Sequence, residues 1–180
     1  MLKLIIPSRE LFDDQKQEFV HSKEYELQLE HSLVSLSKWE SKWHKPFISS
    51  KDKTPEETID YIRCMTITQN PDPSVYFLIR QKEIDLVADY IDAPMTATTF
   101  SKPKETKTNK EVITAELIYY WMIAFTIPFE CQKWHLNRLL TLINVCSIKN
   151  QPPKKMSRKE AAKQQRALND ARRAKLNTNG

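Results

Sequence analysis

Apolar residues recur at helical spacing through most of this chain and alternate only near its start. Residues 2–6 alternate weakly and end at Pro7, the pattern of a short strand. Tyr25, Leu27 and Leu29 alternate with Glu24, Glu26, Gln28 and Glu30, which predicts a strand with one wet face. These two strands are expected to pair as an N-terminal β-hairpin, although the polar linker between them is long for one. From Ser32 the period becomes helical: Leu33, Leu36, Trp39 or Glu40, and Trp43 share a face until Pro46 ends it. Thr54-Pro55-Glu56-Glu57 is a compact helix start, with a capping hydroxyl, Pro at the first position and acids at the helix's positive end. Ile59, Ile62 and Cys64 or Met65 supply its apolar side. Asn70-Pro71-Asp72-Pro73 is a turn, and Ser74 to Ile79 fits either a strand or a short helix. Gln81 to Ile91 reads as a helix whose core face is Ile84, Val87, Ala88 and Ile91. Pro94 ends it, Met95 to Phe100 is extended in character, and Ser101 to Lys110 is a loop of lysine and threonine.

The most apolar stretch runs from Thr108 to Cys146. Thr108 with Glu111 three residues on is a capping box, which places a helix start near Asn109. That helix stops by Ile127, because Pro128 disfavours helical geometry before it and suits the first turn of a second helix. Leu136, Leu139, Leu140, Ile143 and Cys146 form one stripe on the second helix. A bent antiparallel pair is the arrangement these features predict, with Trp121 and Leu139 in the core. Leu117 to Phe129 is 13 residues without a charge, short of the roughly 20 needed to span a bilayer.

Beyond Asn150-Gln151-Pro152-Pro153-Lys154-Lys155, Ser157 and Glu160 form another capping box, opening a helix to about Lys175. Its apolar residues are mostly alanine, with Leu168 and Leu176 the only large ones. Such a helix has good propensity but little to bury, and is expected to order on a partner. The reading is therefore mainly α (α+β): a compact, mostly helical body over 1–148 and a basic, partly helical arm over 149–180.

Charge sharpens that division. The net charge is +5 over 180 residues, but the arm holds ten Lys or Arg against two acids, and the body 18 basic against 21 acidic side chains. A basic arm on a mildly acidic body favours contacts between copies or with an acidic partner. The only glycine is Gly180. Phosphate-cradling loops and nucleophile elbows need glycine where the backbone approaches a ligand or turns left-handed, so their usual forms cannot be built here. No catalytic residue and no cofactor is expected. Three cysteines, Cys64, Cys131 and Cys146, sit in apolar helical patterns and read as reduced thiols of a cytosolic protein. The apolar N-terminus is too short for a secretory signal.

Two clusters invite chemistry. Cys131 and His135 lie four apart, a spacing for two zinc ligands, but the rest would have to come from distant His31, His44 or Cys64. A core thiol beside a hydrogen-bonded histidine is the simpler reading, and no metal is expected. Lys38-Trp39-Glu40-Ser41-Lys42-Trp43-His44-Lys45 mixes cations and aromatics as single-strand binders do. Tryptophans four apart and in phase with Leu36 favour instead a helix that buries them beneath lysine stems.

Several segments without chemistry of their own resemble one family. They are Trp39-Glu40-Ser41-Lys42-Trp43-His44-Lys45-Pro46-Phe47, Asp92-Ala93-Pro94-Met95-Thr96-Ala97-Thr98 and Trp134-His135-Leu136-Asn137-Arg138-Leu139-Leu140. Asn150-Gln151-Pro152-Pro153-Lys154-Lys155-Met156 and the Arg172-Arg173 ending complete the set. Together they are similar to small proteins from the tail gene clusters of long-tailed bacteriophages, those assigned as tail assembly chaperones, over most of the chain. The resemblance implies a non-enzymatic protein in the cytoplasm of the infected bacterial host. It implies a chain that coats the long, helical tape measure protein while tail tube subunits polymerise around it. Expected partners are the tape measure protein, other tail proteins and further copies of the chain, with no membrane contact. Trp39, Trp43, Arg138, Lys154, Lys155, Arg172 and Arg173 are the expected partner-contacting residues. The alternatives are a structural subunit of the virion, in the mature tail or baseplate, and a nucleic-acid-binding protein that uses the arm to neutralise phosphates.

Overall fold

A computed structural model describes residues 1–13, 17–50, 52–100, 112–151 and 158–176. The chain is mainly α with a small β component, as its patterning predicts. β1 (Leu2–Ile6) pairs antiparallel with β4 (Tyr25–Leu29), in the register Leu2↔Leu29, Leu4↔Leu27, Ile6↔Tyr25. Leu4, Ile6, Leu27 and Leu29 point into the core, while Lys3 and Glu26 on the wet face form an ion pair. The free edge of β4 is covered by residues 66–68. Ile67 N–H donates to the Gln28 carbonyl at 2.8 Å, and Thr68 Oγ1 accepts from Gln28 N–H at 2.8 Å.

The long linker inside this hairpin folds into a second one. β2 (Glu10–Asp13) and β3 (Glu18–His21) pair as Leu11↔Val20 and Phe12↔Phe19. Two strands alone are marginal in water, so the base of this hairpin is pinned. Ser22 N–H donates to the Arg9 carbonyl and its Oγ accepts from Arg9 N–H, while the Arg9 guanidinium reaches the Leu78 carbonyl (2.6 Å) and the buried Glu83 carboxylate (2.7 Å). Polarity alone could not reveal it, because Leu11, Phe12, Phe19 and Val20 remain exposed.

α1 (Leu33–Trp43) begins at a capping box between Ser32 and Ser35 and buries Leu33, Leu36, Trp39 and Glu40. It ends three residues before Pro46, because His44 takes a left-handed conformation (φ 53°, ψ 34°) and donates its N–H to the Glu40 carbonyl. α2 (Pro55–Met65) opens where predicted, with Thr54 and Glu57 exchanging capping bonds. Ile62 and Met65 are buried and Ile59 and Cys64 half-buried, but Tyr61 is also wholly in the core. Residues Pro73–Leu78 settle as a 3-10 helix started by Asp72, and α3 follows at Gln81–Asp92.

The most apolar stretch is not the hub. The helix expected from Asn109 is α4, Ala115–Ala124, capped by Thr114. Thr108 and Glu111 lie outside the described residues, as do the loop 101–110 and Ser157. α4 buries Ala115, Ile118 and Met122, while Tyr120 (63%) and Ile123 (62%) stay exposed and Trp121 is half-buried. Pro128 opens only a 3-10 turn (Phe129–Lys133), and α5 starts later, at Leu136–Asn150. Leu136, Leu139 and Ile143 of its stripe are buried and Leu140 and Cys146 partly so. α4 and the 129–133 turn pack against α1, which also holds α2, so α1 takes the central place. No described helix is long and apolar enough to cross a membrane.

The chain divides into two compact units, Met1–Cys146 and Ser147–Gly180. The second contains α6 (Arg158–Leu176), in which every described side chain is exposed.

Candidate helix-docking cleft

Of the stripe Ile84, Val87, Ala88 and Ile91, only Val87 is fully buried, and Glu83 and Tyr90 complete the buried face of α3. Tyr90 carries an aromatic ring long enough to reach inward, and its hydroxyl donates to Glu30 at 2.7 Å. Glu83 turns in because its carboxylate meets Arg9 and caps the helix at Arg80 N–H (2.8 Å). With those two residues inward, Ile84 and Ile91 are half-buried and Ala88 is exposed. They form one wall of an open cavity of about 430 Å³.

Its other walls come from α2 (Thr58, Tyr61, Ile62), α5 (Leu136, Asn137, Leu140) and the loop after α1 (Phe47, Ile48, Lys53). Rigid side chains hold each wall. Phe47 and Tyr61 stack with ring centroids 3.8 Å apart. Asn137 donates from Nδ2 to the Ile91 carbonyl (2.8 Å) and the Ala93 carbonyl (2.9 Å), tying the end of α3 to the start of α5. Glu40 Oε1 accepts from Phe47 N–H at 2.7 Å and fixes the loop to α1.

The floor is polar and satisfied. His31 Nδ1 and the Tyr61 hydroxyl share a 2.6 Å hydrogen bond. The His31 ring meets His135 edge-on at 5.2 Å. Burial, with His135 as a minor contribution, lowers the His31 pKa to about 3, so the ring is neutral near pH 7. Burial pushes the Tyr61 hydroxyl up and keeps its proton. His135 accepts from Asn137 N–H at Nδ1 and so donates from Nε2 to the Tyr90 carbonyl (3.0 Å). Burial lowers its pKa too, against that bond. Both nitrogens of His135 are therefore engaged in the backbone. Among the described residues, no three His, Cys, Asp or Glu side chains gather as metal ligands would.

The rim carries charge. Lys53 stands at one side, its ammonium donating to the Ser50 carbonyl (2.7 Å) and lying 4.2 Å from the Phe47 ring centre. Burial lowers its pKa, partly offset by attraction to Glu57. Asp92 lines the opening on the α3 wall, and Asp85 and Asp89 precede it by seven and three positions on the exposed flank of α3.

The residues expected to contact a partner are dispersed. Trp39 is wholly buried and its indole N–H donates to the Glu57 carbonyl at 2.9 Å, so it has no surface to offer. Its place in the core follows from its phase with Leu36, and expecting a partner contact there is corrected. Trp43 is half-buried, its indole N–H on Asp60 at 2.9 Å, where Lys42 also binds. Burial pushes the Asp60 carboxyl up, and these bonds together bring it below the usual carboxylate range. Arg138 is exposed, its guanidinium 4.2 Å over the Trp134 ring. Arg172 and Arg173 are exposed on α6, and Lys154 and Lys155 lie outside the described residues. The cleft itself was half legible: the periodicity named its α3 wall but assigned that wall to the core.

Comparison with protein-family models, curated proteins and solved structures gives no match for this chain.

Proposed function

We propose that this chain is a non-enzymatic assembly protein that holds an amphipathic helix of its client in the cleft between α2, α3 and α5. The observation that carries the reading is the α3 wall. A stripe of half-buried Ile84 and Ile91 with exposed Ala88 between them, lining the open cavity with Leu140 and Ile48, is the shape into which an apolar helical ridge packs. Given the resemblance to tail assembly chaperones, the client is the helical tape measure protein, bound in the host cytoplasm before the tail tube closes around it.

The test is co-expression of the full chain with the tape measure protein from the same gene cluster. Ala88→Arg fills the cleft from an exposed position, so it should remove co-purification while leaving the melting temperature within a degree or two of wild type, as surface changes do. A complex that survives Ala88→Arg would place the client elsewhere. Purified particles separate this reading from a virion subunit, since a chaperone is missing from them and a subunit is present in many copies.

A further inference from the structure

We propose that the cleft also receives α6 of a second copy, joining chains head to tail. Two surfaces of opposite charge carry the inference. α3 exposes Asp85, Asp89 and Asp92 in one row beside the apolar row Ile84, Ala88 and Ile91, with Lys82 its single cation. α6 carries seven basic against two acidic residues, and its Ala167, Leu168 and Ala171 share a face at helical spacing.

Both patches carry exposed apolar side chains. Ala88 is exposed beside the cavity, and Leu168 (48%) and Leu176 (70%) are exposed on α6. Alanines allow a close helix approach, Leu168 supplies the one large side chain for the cavity, and arginines on the flanks meet the aspartate row. Lys53 lines the loop wall and Asp92 the α3 wall, so the basic flank of α6 is repelled at the one and drawn to the other. Cleft and helix are different patches of one chain, so the contact is heterologous and leaves a free cleft at one end of every dimer. The client and α6 then compete for the same wall. This inference rests on the cleft being a helix-docking site, as proposed above.

The experiment is a charge swap in the full chain, read by light scattering at low salt. Asp85→Lys with Asp89→Lys reverses the rim, and Arg172→Glu with Arg173→Glu reverses the C-terminal end of α6. Wild type should exceed monomer mass and lose at least about tenfold in association as salt is raised through the range that screens exposed charges. Each variant alone should be monomeric: in the first a basic rim repels the basic arm, and in the second glutamates stand where arginines would meet the aspartate row. Mixing the two should restore association, since each arm again faces a rim of opposite charge.

The inference is overturned by a monomeric wild type, which would mean docking within one chain or none, or by a mixture that stays monomeric. Loss of RNA binding in the arm variant with its self-association intact overturns it as well and assigns the arm to phosphates. Failure of the two readings is separable. If Ala88→Arg removes the client and the charge swap fails, only this inference falls. If the swap works and the client survives Ala88→Arg, only the client reading falls.

Discussion

Glu40 Oε2 accepts the backbone N–H of Ala115 at 2.7 Å, 75 residues along the chain. Ala115 is the first residue of α4, whose unpaired N–H groups and positive end both favour a carboxylate. The other oxygen of the same group holds Phe47, and the side chain is buried. One residue of α1 thus fixes both α4 and the loop that walls the cleft. Glu40→Ala should destabilise by about 3 kcal/mol, two charge-assisted bonds lost from a buried site. Glu40→Gln should cost less, since the amide still offers one acceptor. Denaturant melts check both, and a Glu40→Gln variant no more stable than Glu40→Ala would mean that the remaining acceptor contributes nothing.

Leu139 and Trp121 separate where apolarity alone would pair them. Leu139 is fully buried, and its truncation to alanine should cost about 2–5 kcal/mol. Trp121 is half-buried in α4, so its replacement should cost less, on the order of 1–2 kcal/mol for the area it covers. Equal losses in thermal melts would contradict the orientation of α4.

The buried histidines make stability depend on pH. His31 has a pKa of about 3 in the fold against 6.5 unfolded, so between those values the unfolded chain binds the extra proton. Stability is therefore full above about pH 7 and falls as pH drops, by up to about 1.4 kcal/mol per unit for each histidine. Glu57, Asp60 and Glu83 have lowered pKa values and lose their contributions only below about pH 4. Urea melts at pH 7.5 and 5.5 should differ by about 1–2 kcal/mol. Identical midpoints would show that the floor of the cleft accepts a proton without penalty.

A chain whose only glycine is its last residue still makes left-handed turns. His44, Asn70, Met95 and Thr126 all have φ near +50°. At His44, an exposed position that closes α1, the left-handed backbone brings the side chain against its own carbonyl. His44→Gly should raise stability by about 0.5–1 kcal/mol. A calorimetric midpoint lower than wild type would mean that the added freedom of the unfolded chain outweighs the relieved strain.

Local chemistry made much of this fold legible. The Thr54-Pro55-Glu56-Glu57 start acts within one turn of helix, and α2 begins where it says. Alternation in β1 and β4 needs only a buried and a wet face, so both strands and their pairing follow from it. Tertiary structure decided what period cannot express, namely which of two adjoining faces turns inward. On α3 Glu83 and Tyr90 joined Val87 inside and Ala88 turned outward, because Arg9 and Glu30 elsewhere in the chain satisfy those polar groups. On α4 a helix apolar almost all round has no face marked by sequence, and packing on α1 selected Ile118 and Met122 over Tyr120 and Ile123. The cleft belongs to that second class: its walls come from three helices and a loop, and only their meeting leaves Ala88 uncovered beside Leu140.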